Sequence, residues 1–135
     1  PGWNSDGPSP LSGVETGWTP TDGEWTAYLM GSDPSVWQLT SHVIGADDVI
    51  NLIVDARITW LGTTLQMTIY YDDNGTRVPV ATEDVALTEE MVEYTLSFAA
   101  ADVPESVGHQ IGIEFANLIP GDTWLGLDNV RLVLN

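Results

Sequence analysis

Six tryptophans in a chain of 135 residues are the first feature that suggests a chemistry. Indole rings of this size belong either in a hydrophobic core or on a face that stacks against a ligand. The second feature is an excess of hydrogen-bonding groups, since Asp and Glu number 20. Rings beside planar donors and acceptors are what a sugar requires, because its C–H faces stack and its hydroxyls form hydrogen bonds. The central question is therefore where each ring points.

Most catalytic chemistries find no support in the sequence. There is no Cys, which excludes a disulfide framework, a thiolate metal site and a Cys nucleophile. His42 and His109 are far apart and show no zinc-ligand spacing. Neither a Gly-x-Ser-x-Gly elbow nor a phosphate-binding Gly loop is present. Carboxylates are so abundant that a pair of them identifies nothing, and a domain this small with a shallow groove rarely holds a complete active site. We therefore expect that this chain is not an enzyme.

The net charge of -17 limits the partners. Three arginines and no lysine cannot replace the counterions of a phosphate backbone, so we expect no nucleic-acid partner. No apolar run approaches the ~18 residues that span a bilayer, and we expect no membrane partner either. The same charge favours a neutral glycan over a sulfated or carboxylated one. A saline environment is the alternative explanation, because screening would remove that objection.

The pattern of apolar residues predicts an all-β fold. Apolar residues recur mostly at every second position, and Gly and Pro separate the runs, as expected for strands joined by turns. Asn74–Gly75 predicts a type I′ hairpin turn. Helical candidates are single turns near 88–91 and 103–107. The predicted strands are 24–30, 35–43, 49–60, 64–71, 77–87, 91–99, 110–117 and 124–134, with a short extended piece near 13–15. Eight strands at this spacing predict one two-sheet antiparallel β-sandwich over residues 1–135.

Alternation within the strands separates core positions from outer positions. In the strand 49–60, every second residue from Ile50 to Ile58 is apolar and is predicted to face the core. In the strand 64–71 the same reasoning puts Tyr70 on the outer face, as a candidate platform for a sugar. Trp60 and Trp124 adjoin strand ends and are candidates for the rim of a groove. The alternative is an ordinary solvated outer face, which is polar in most sandwiches.

Several pieces of sequence, in this order, suggest a family. They are Pro1-Gly2-Trp3, Asp22-Gly23-Glu24-Trp25-Thr26-Ala27-Tyr28-Leu29, Ser35-Val36-Trp37-Gln38-Leu39, Ile50-Asn51-Leu52-Ile53-Val54-Asp55-Ala56-Arg57, Glu93-Tyr94-Thr95-Leu96-Ser97-Phe98 and Leu127-Asp128-Asn129-Val130-Arg131-Leu132. Their order and spacing resemble the jelly-roll carbohydrate-binding modules of the galactose-binding-like superfamily, in particular the relatives of families four, nine and twenty-two. The resemblance extends over nearly the whole chain and implies a jelly roll, with a glycan groove on one sheet.

The resemblance also implies which residues would bind the glycan. The positions that contact sugar in the xylan-binding branch correspond to Trp37 and Glu114, and Asp55 and Arg57 would add polar contacts from the neighbouring strand. Tyr70, predicted from alternation, and Trp124 complete the candidate set. For Trp37 a core position is the alternative, because the alternation of strand 35–43 has two possible phases.

A structural calcium ion is the second implied site. Members of the superfamily commonly hold Ca²⁺ between the loop before the second strand and an Asp of the last strand. These positions correspond to Asp22 and Glu24 in the loop and to Asp128 in the strand, and their hard oxygen ligands suit Ca²⁺. The alternative is that Asp128 and Asn129 cap a turn.

The functional prediction is a monomeric, non-catalytic carbohydrate-binding module. It would be part of a longer secreted or cell-surface protein and would hold its linked domains on a polysaccharide, most simply a neutral β-glucan, xylan or mannan. The alternative is a structural or adhesive spacer module that binds no sugar. Exposure of the candidate aromatic side chains on one common face separates the two hypotheses.

Overall fold

A computed structural model describes residues 3–5, 12–31 and 35–135. Pro1 and Gly2, which open the first family-like piece, lie outside the described residues. The described residues form ten strands: β1 (Asn4–Ser5), β2 (Ser12–Thr16), β3 (Trp25–Met30), β4 (Ser35–Val43), β5 (Val49–Trp60), β6 (Thr64–Asp73), β7 (Thr76–Ala86), β8 (Val92–Ala99), β9 (Gln110–Asn117) and β10 (Trp124–Leu134). No helix among these residues is long and apolar enough to cross a membrane.

The strands form two antiparallel five-stranded sheets. The first, here called the front sheet, has the order β1-β4-β9-β6-β7. The second, the back sheet, has the order β2-β3-β10-β5-β8. Neighbours such as β4 and β9 are distant in the chain, as expected when strands cross between two sheets. The predicted two-sheet β-sandwich is confirmed.

The core lies between the sheets and follows the predicted alternation. In β5 the side chains of Ile50, Leu52, Val54 and Ala56 are fully buried, and β6 and β9 supply the facing layer. Burying each large side chain of this kind stabilises the fold by roughly 1.5–3 kcal/mol. The core therefore uses one face of each sheet and leaves the other face of each for polar residues or a ligand.

Turns account for the small differences from the predicted elements. Asn74 and Gly75 both have positive φ, as a type I′ turn requires, and the hairpin pairs Asp72 with Arg77. The predicted helical turn near 88–91 is wrong, since these residues form only a bend before β8. Near 103–107 the chain forms a 3₁₀ turn at 104–106, preceded by another at 100–102.

Candidate functional site

Trp37 and Glu114 lie side by side on the outer face of the front sheet. They are register partners on β4 and β9, and Val36 pairs with Phe115, which is fully buried in the core. Because successive side chains alternate across a strand, Trp37 and Glu114 point away from the core. The two-phase ambiguity of strand 35–43 is thus resolved in favour of an outward Trp37, whose side chain is partly buried.

Arg77 joins this pair from β7. Its guanidinium carbon lies 3.8 Å from the centroid of the Trp37 ring, the distance of a stacked cation–π contact. Its Nε lies 3.6 Å from Oε1 of Glu114. Indole, guanidinium and carboxylate therefore form one continuous array, in which the planar edge of Arg77 offers donors and Glu114 offers acceptors.

Tyr70 lies near this array but is not part of its exposed surface. Its ring crosses Gly112 on the neighbouring strand and is only 1% exposed. Burial raises the pKa of Tyr70 to about 12, while the nearby charge of Arg77 acts in the opposite direction. The prediction that Tyr70 is an exposed sugar platform is wrong, because alternation gives the face of a residue but not what covers it.

A row of polar side chains continues the face towards the start of β6. The Gln66 amide nitrogen donates to Asp84 at 3.1 Å, and the hydroxyls of Thr68 and Thr82 lie 3.5 Å apart. These residues pair across β6 and β7. The outer face of the front sheet thus carries one aromatic ring followed by alternating donors and acceptors, which is a pattern suited to the hydroxyls of a sugar chain.

Asp55 and Arg57 do not belong to this face. Both lie on β5, in the back sheet, so their predicted role beside Trp37 is wrong. Asp55 is buried and forms an ion pair with Arg131 across 3.4 Å. Arg57 donates to Thr19 at 3.0 Å and faces the ring of Trp18. They were assigned to the wrong sheet because strand order along the chain does not reveal which strands become neighbours.

Trp124 also lies on the back sheet, at the start of β10. It is the register partner of Trp60, and its ring packs against Tyr28 at 5.3 Å between centroids. Their predicted place at the rim of the Trp37 groove is wrong, because the groove that the two tryptophans adjoin is a different one. That groove is on the opposite side of the sandwich from Trp37.

The residues predicted to hold calcium are near one another but are not arranged as a metal site. Oδ2 of Asp128 accepts the backbone N–H groups of Thr21 and Asp22, the latter at 2.8 Å. No group of three or more His, Cys, Asp or Glu side chains that could hold a metal ion occurs in the described part of the chain. Oδ2 of Asp128 therefore caps the loop, and the three predicted carboxylates do not by themselves form the oxygen cage of a Ca²⁺ site.

Arg77 and Asp122 are the functional candidates that sequence reasoning missed. The predicted hairpin could have identified Arg77. A two-residue turn at Asn74–Gly75 pairs residue 77 with residue 72, and residues 70 and 72 lie on the same face of their strand. Asp122 accepts from the indole N–H groups of both Trp60 and Trp124. Trp124 is only two residues from Asp122, but the contact with Trp60 joins two distant segments and no local pattern predicts it.

Comparisons with known proteins confirm the fold of the family suggested by the sequence. No protein-family model and no curated protein matches the chain. Among solved structures, a CBM4 module matches at a TM-score of 0.67 and 20% identity, over 99% of this chain and 95% of that one. The CBM22-1 and GH10 modules of a Clostridium thermocellum endo-1,4-β-D-xylanase, complexed with xylohexaose, match at 0.65 and 13%, over 97% and 25%. This chain has the jelly-roll β-sandwich of carbohydrate-binding modules.

Enzymes share the same fold. A cyclase from Fischerella sp. TAU, in complex with 4-(1H-indol-3-yl)butan-2-one, matches at a TM-score of 0.80 and 18% identity, over 100% of this chain and 85% of the cyclase. This finding contradicts our expectation that the chain is not an enzyme. The expectation rested on the small size of the domain, and a cyclase only slightly longer than this chain has the same architecture.

Proposed function

We propose that this protein binds a neutral polysaccharide on the outer face of its front sheet. The observation that carries the proposal is the array of Trp37, Arg77 and Glu114, which places a ring, a planar donor and an acceptor within contact of one another. The carbohydrate-binding folds among its structural neighbours support it.

Each member of the array has a distinct role in this proposal. Trp37 provides the aromatic surface, and the guanidinium of Arg77 is held against it at 3.8 Å. Arg77 donates to sugar hydroxyls, and Glu114 accepts from them. The ring of Tyr70 is buried across Gly112 and adds no exposed surface to the array. Preorganisation of this kind lowers the entropy that a bound chain must lose.

The charge of the protein supports a neutral ligand. A net charge of -17 opposes sulfated and carboxylated polymers at ordinary ionic strength. A β-glucan, xylan or mannan chain meets no such repulsion. Because these polymers lie outside cells, we place the protein in a secreted or cell-surface setting, where it would hold linked domains on the polysaccharide.

Calorimetric titration with xylohexaose, cellohexaose and mannohexaose tests this proposal. Trp37→Ala should weaken binding of the preferred hexaose about tenfold, since a stacked aromatic group contributes about 1–3 kcal/mol. Trp25→Ala is the matched control, because Trp25 is 56% exposed but lies in the back sheet. Equal losses in the two variants, or no heat with any hexaose, would contradict the proposal. The second result would favour a spacer module.

A second candidate function is suggested by a cleft between the two sheets. The cleft has a volume of 860 Å³, within the range of small-molecule sites, and Trp3, Trp25 and Phe115 are among its lining residues. Asp22 and Asp128 adjoin the same cleft. Apolar walls with carboxylates nearby suit an enzyme that acts on a small aromatic molecule. A cyclase with the same fold in complex with 4-(1H-indol-3-yl)butan-2-one supports this candidate.

Incubation with 4-(1H-indol-3-yl)butan-2-one, followed by melting and by mass spectrometry of the small molecule, tests the second candidate. A ligand in the cleft should raise the melting temperature, because it binds the folded state alone. Trp25→Ala should remove the increase and Trp37→Ala should preserve it. An unchanged melting temperature at millimolar ligand would contradict this candidate and leave the first untouched.

A further inference from the structure

Three tryptophans line a second groove, on the outer face of the back sheet. The groove has a volume of 310 Å³, and its walls are Trp18, Trp60 and Trp124 with Glu15, Thr59 and Asp122. Trp60 is 56% exposed and Trp18 is 40% exposed. Rings of this size are mostly buried in folded proteins, so their convergence at the surface requires an explanation.

The rings are held in fixed positions. The indole nitrogen of Trp60 donates to one carboxylate oxygen of Asp122 at 3.2 Å, and that of Trp124 donates to the other oxygen at 3.2 Å. Tyr28 packs behind Trp124, and the guanidinium of Arg57 lies 5.5 Å from the centroid of Trp18. A single carboxylate thus sets the angle between two neighbouring rings before any ligand arrives.

The loop that carries Asp122 is itself anchored by buried groups. Asn117 is buried, and its amide nitrogen donates to the carbonyl oxygens of Leu29 at 3.2 Å and Thr123 at 3.4 Å. Its side-chain oxygen accepts from the backbone N–H of Ile119 at 3.2 Å. Gly31 packs so closely on this loop that an added Cβ would lie 2.7 Å from the carbonyl oxygen of Gly121. This support rigidifies a surface feature that has no evident role in the core.

The charge and the size of the groove limit which ligand it can bind. An anion would meet Glu15, Asp122 and the overall net charge of -17. A cation would compete with Arg57, whose guanidinium already faces Trp18. A neutral sugar meets neither obstacle, because it stacks through its C–H faces and gives its hydroxyl protons to carboxylates. A groove of 310 Å³ has room for about one or two sugar rings.

We infer that the groove of Trp18, Trp60 and Trp124 is a second carbohydrate site, which takes one or two neutral sugar rings. It is on the opposite sheet from Trp37, so the protein would contact polysaccharide on both faces. Two sites on one molecule bind a polymer more tightly than either binds a short oligosaccharide, because the second contact becomes intramolecular. The inference stands on its own geometry and does not depend on the front-sheet site.

Indole ¹H–¹⁵N spectra test the inference directly, because each of the six tryptophans gives its own side-chain cross-peak. The peaks are assigned with single Trp→Phe variants and followed during titration with cellohexaose, xylohexaose and mannohexaose. The expected result is a joint shift of the Trp60 and Trp124 peaks with one dissociation constant. Asp122→Ala should weaken that constant about tenfold or more by releasing both rings. Val133→Ala is the control, since Val133 lies on the same strand as Trp124 and is 41% exposed but does not line the groove.

Each outcome decides between the alternatives. Shifts at Trp60 and Trp124 that persist in Trp37→Ala support the back-sheet groove, even if the Trp37 peak itself never moves and the front-sheet proposal fails. Shifts that vanish in Trp37→Ala, or peaks that stay still with all three hexaoses, overturn the inference. A response to tetramethylammonium with none to the hexaoses also overturns it, because the groove would then be a cation site.

Discussion

Substitution of Gly112 by Ala tests how the front-sheet face is built. Gly112 lies beneath the ring of Tyr70, and an added Cβ would lie 2.5 Å from Cε2 of that ring and still closer to Cζ and the hydroxyl oxygen. Such contacts are far shorter than carbon atoms tolerate, so the ring must move. Because Tyr70 is close enough to Arg77 and Glu114 for their charges to affect its pKa, we expect Gly112→Ala both to destabilise the protein and to weaken hexaose binding.

The magnitude follows from the displaced ring. A buried tyrosine covers about 150–250 Å². Exposure of half of that area costs about 2–3 kcal/mol at ~25 cal/mol per Å². Overpacking strain adds about 1–3 kcal/mol to this cost. The ordinary preference of a strand for Ala over Gly reduces it by about 0.5–1 kcal/mol. We therefore expect a loss of about 2–5 kcal/mol in the free energy of unfolding, or roughly 8–20 °C in melting temperature.

Urea unfolding of a double-mutant cycle is the assay. Tyr70→Leu removes the ring atoms that the new Cβ would meet, so in that background Gly112→Ala should be neutral or stabilising by up to about 1 kcal/mol. Gly62→Ala is the control substitution, since nothing lies within 4 Å of a Cβ there. A cost of Gly112→Ala that is the same with and without the Tyr70 ring would refute the reasoning.

Three further predictions concern single side chains. Arg77→Ala should weaken hexaose binding about tenfold, and Arg77→Lys should restore little of it, because both variants lack the planar donor. Titration calorimetry measures the effect. Tighter binding by Arg77→Ala would mean that Arg77 only covers the ring of Trp37. The pKa of Tyr70 is raised to about 12 in the folded protein, so between pH 10 and 12 the tyrosine of the unfolded chain ionises first. The free energy of unfolding should therefore fall by about 2–3 kcal/mol over this range. Urea unfolding should show that Tyr70→Phe flattens this dependence, and an unaltered pH profile would contradict the prediction. Asp128→Asn should lower the free energy of unfolding by about 1–2 kcal/mol, because loop hydrogen bonds are lost. The accompanying fall in melting temperature should be the same with calcium and with chelator. A fall that depends on calcium would restore the calcium hypothesis.

Local patterns predicted the strands and their faces well. Period-two alternation identified the inward side of β5, and the Asn74–Gly75 turn identified the β6–β7 hairpin, because both depend on neighbours in sequence. Long-range pairing was beyond such patterns. Asp55 and Arg57 alternate correctly with the core of β5, yet β5 belongs to the sheet opposite Trp37.

The candidate sites were predictable only in part, for the same reason. Trp37 and Glu114 entered through a family resemblance and do lie together on β4 and β9. Tyr70 was assigned the correct face, but its burial depends on Gly112, which lies across a strand pairing that no local rule reveals. The back-sheet groove required two strand ends and a loop to meet at Asp122, and sequence alone indicated only that Trp60 and Trp124 adjoin strand ends.

Affinity electrophoresis through gels containing soluble β-glucan, xylan or mannan tests whether this protein binds neutral polysaccharide on its front sheet. We expect that at least one of these neutral polymers slows the protein and that Trp37→Ala reduces the retardation, whereas Trp25→Ala migrates like the parent. A gel of carboxylated polymer should have little effect at low salt, because the protein carries a net charge of -17. Unchanged mobility in every neutral gel would contradict the claim that this protein binds polysaccharide.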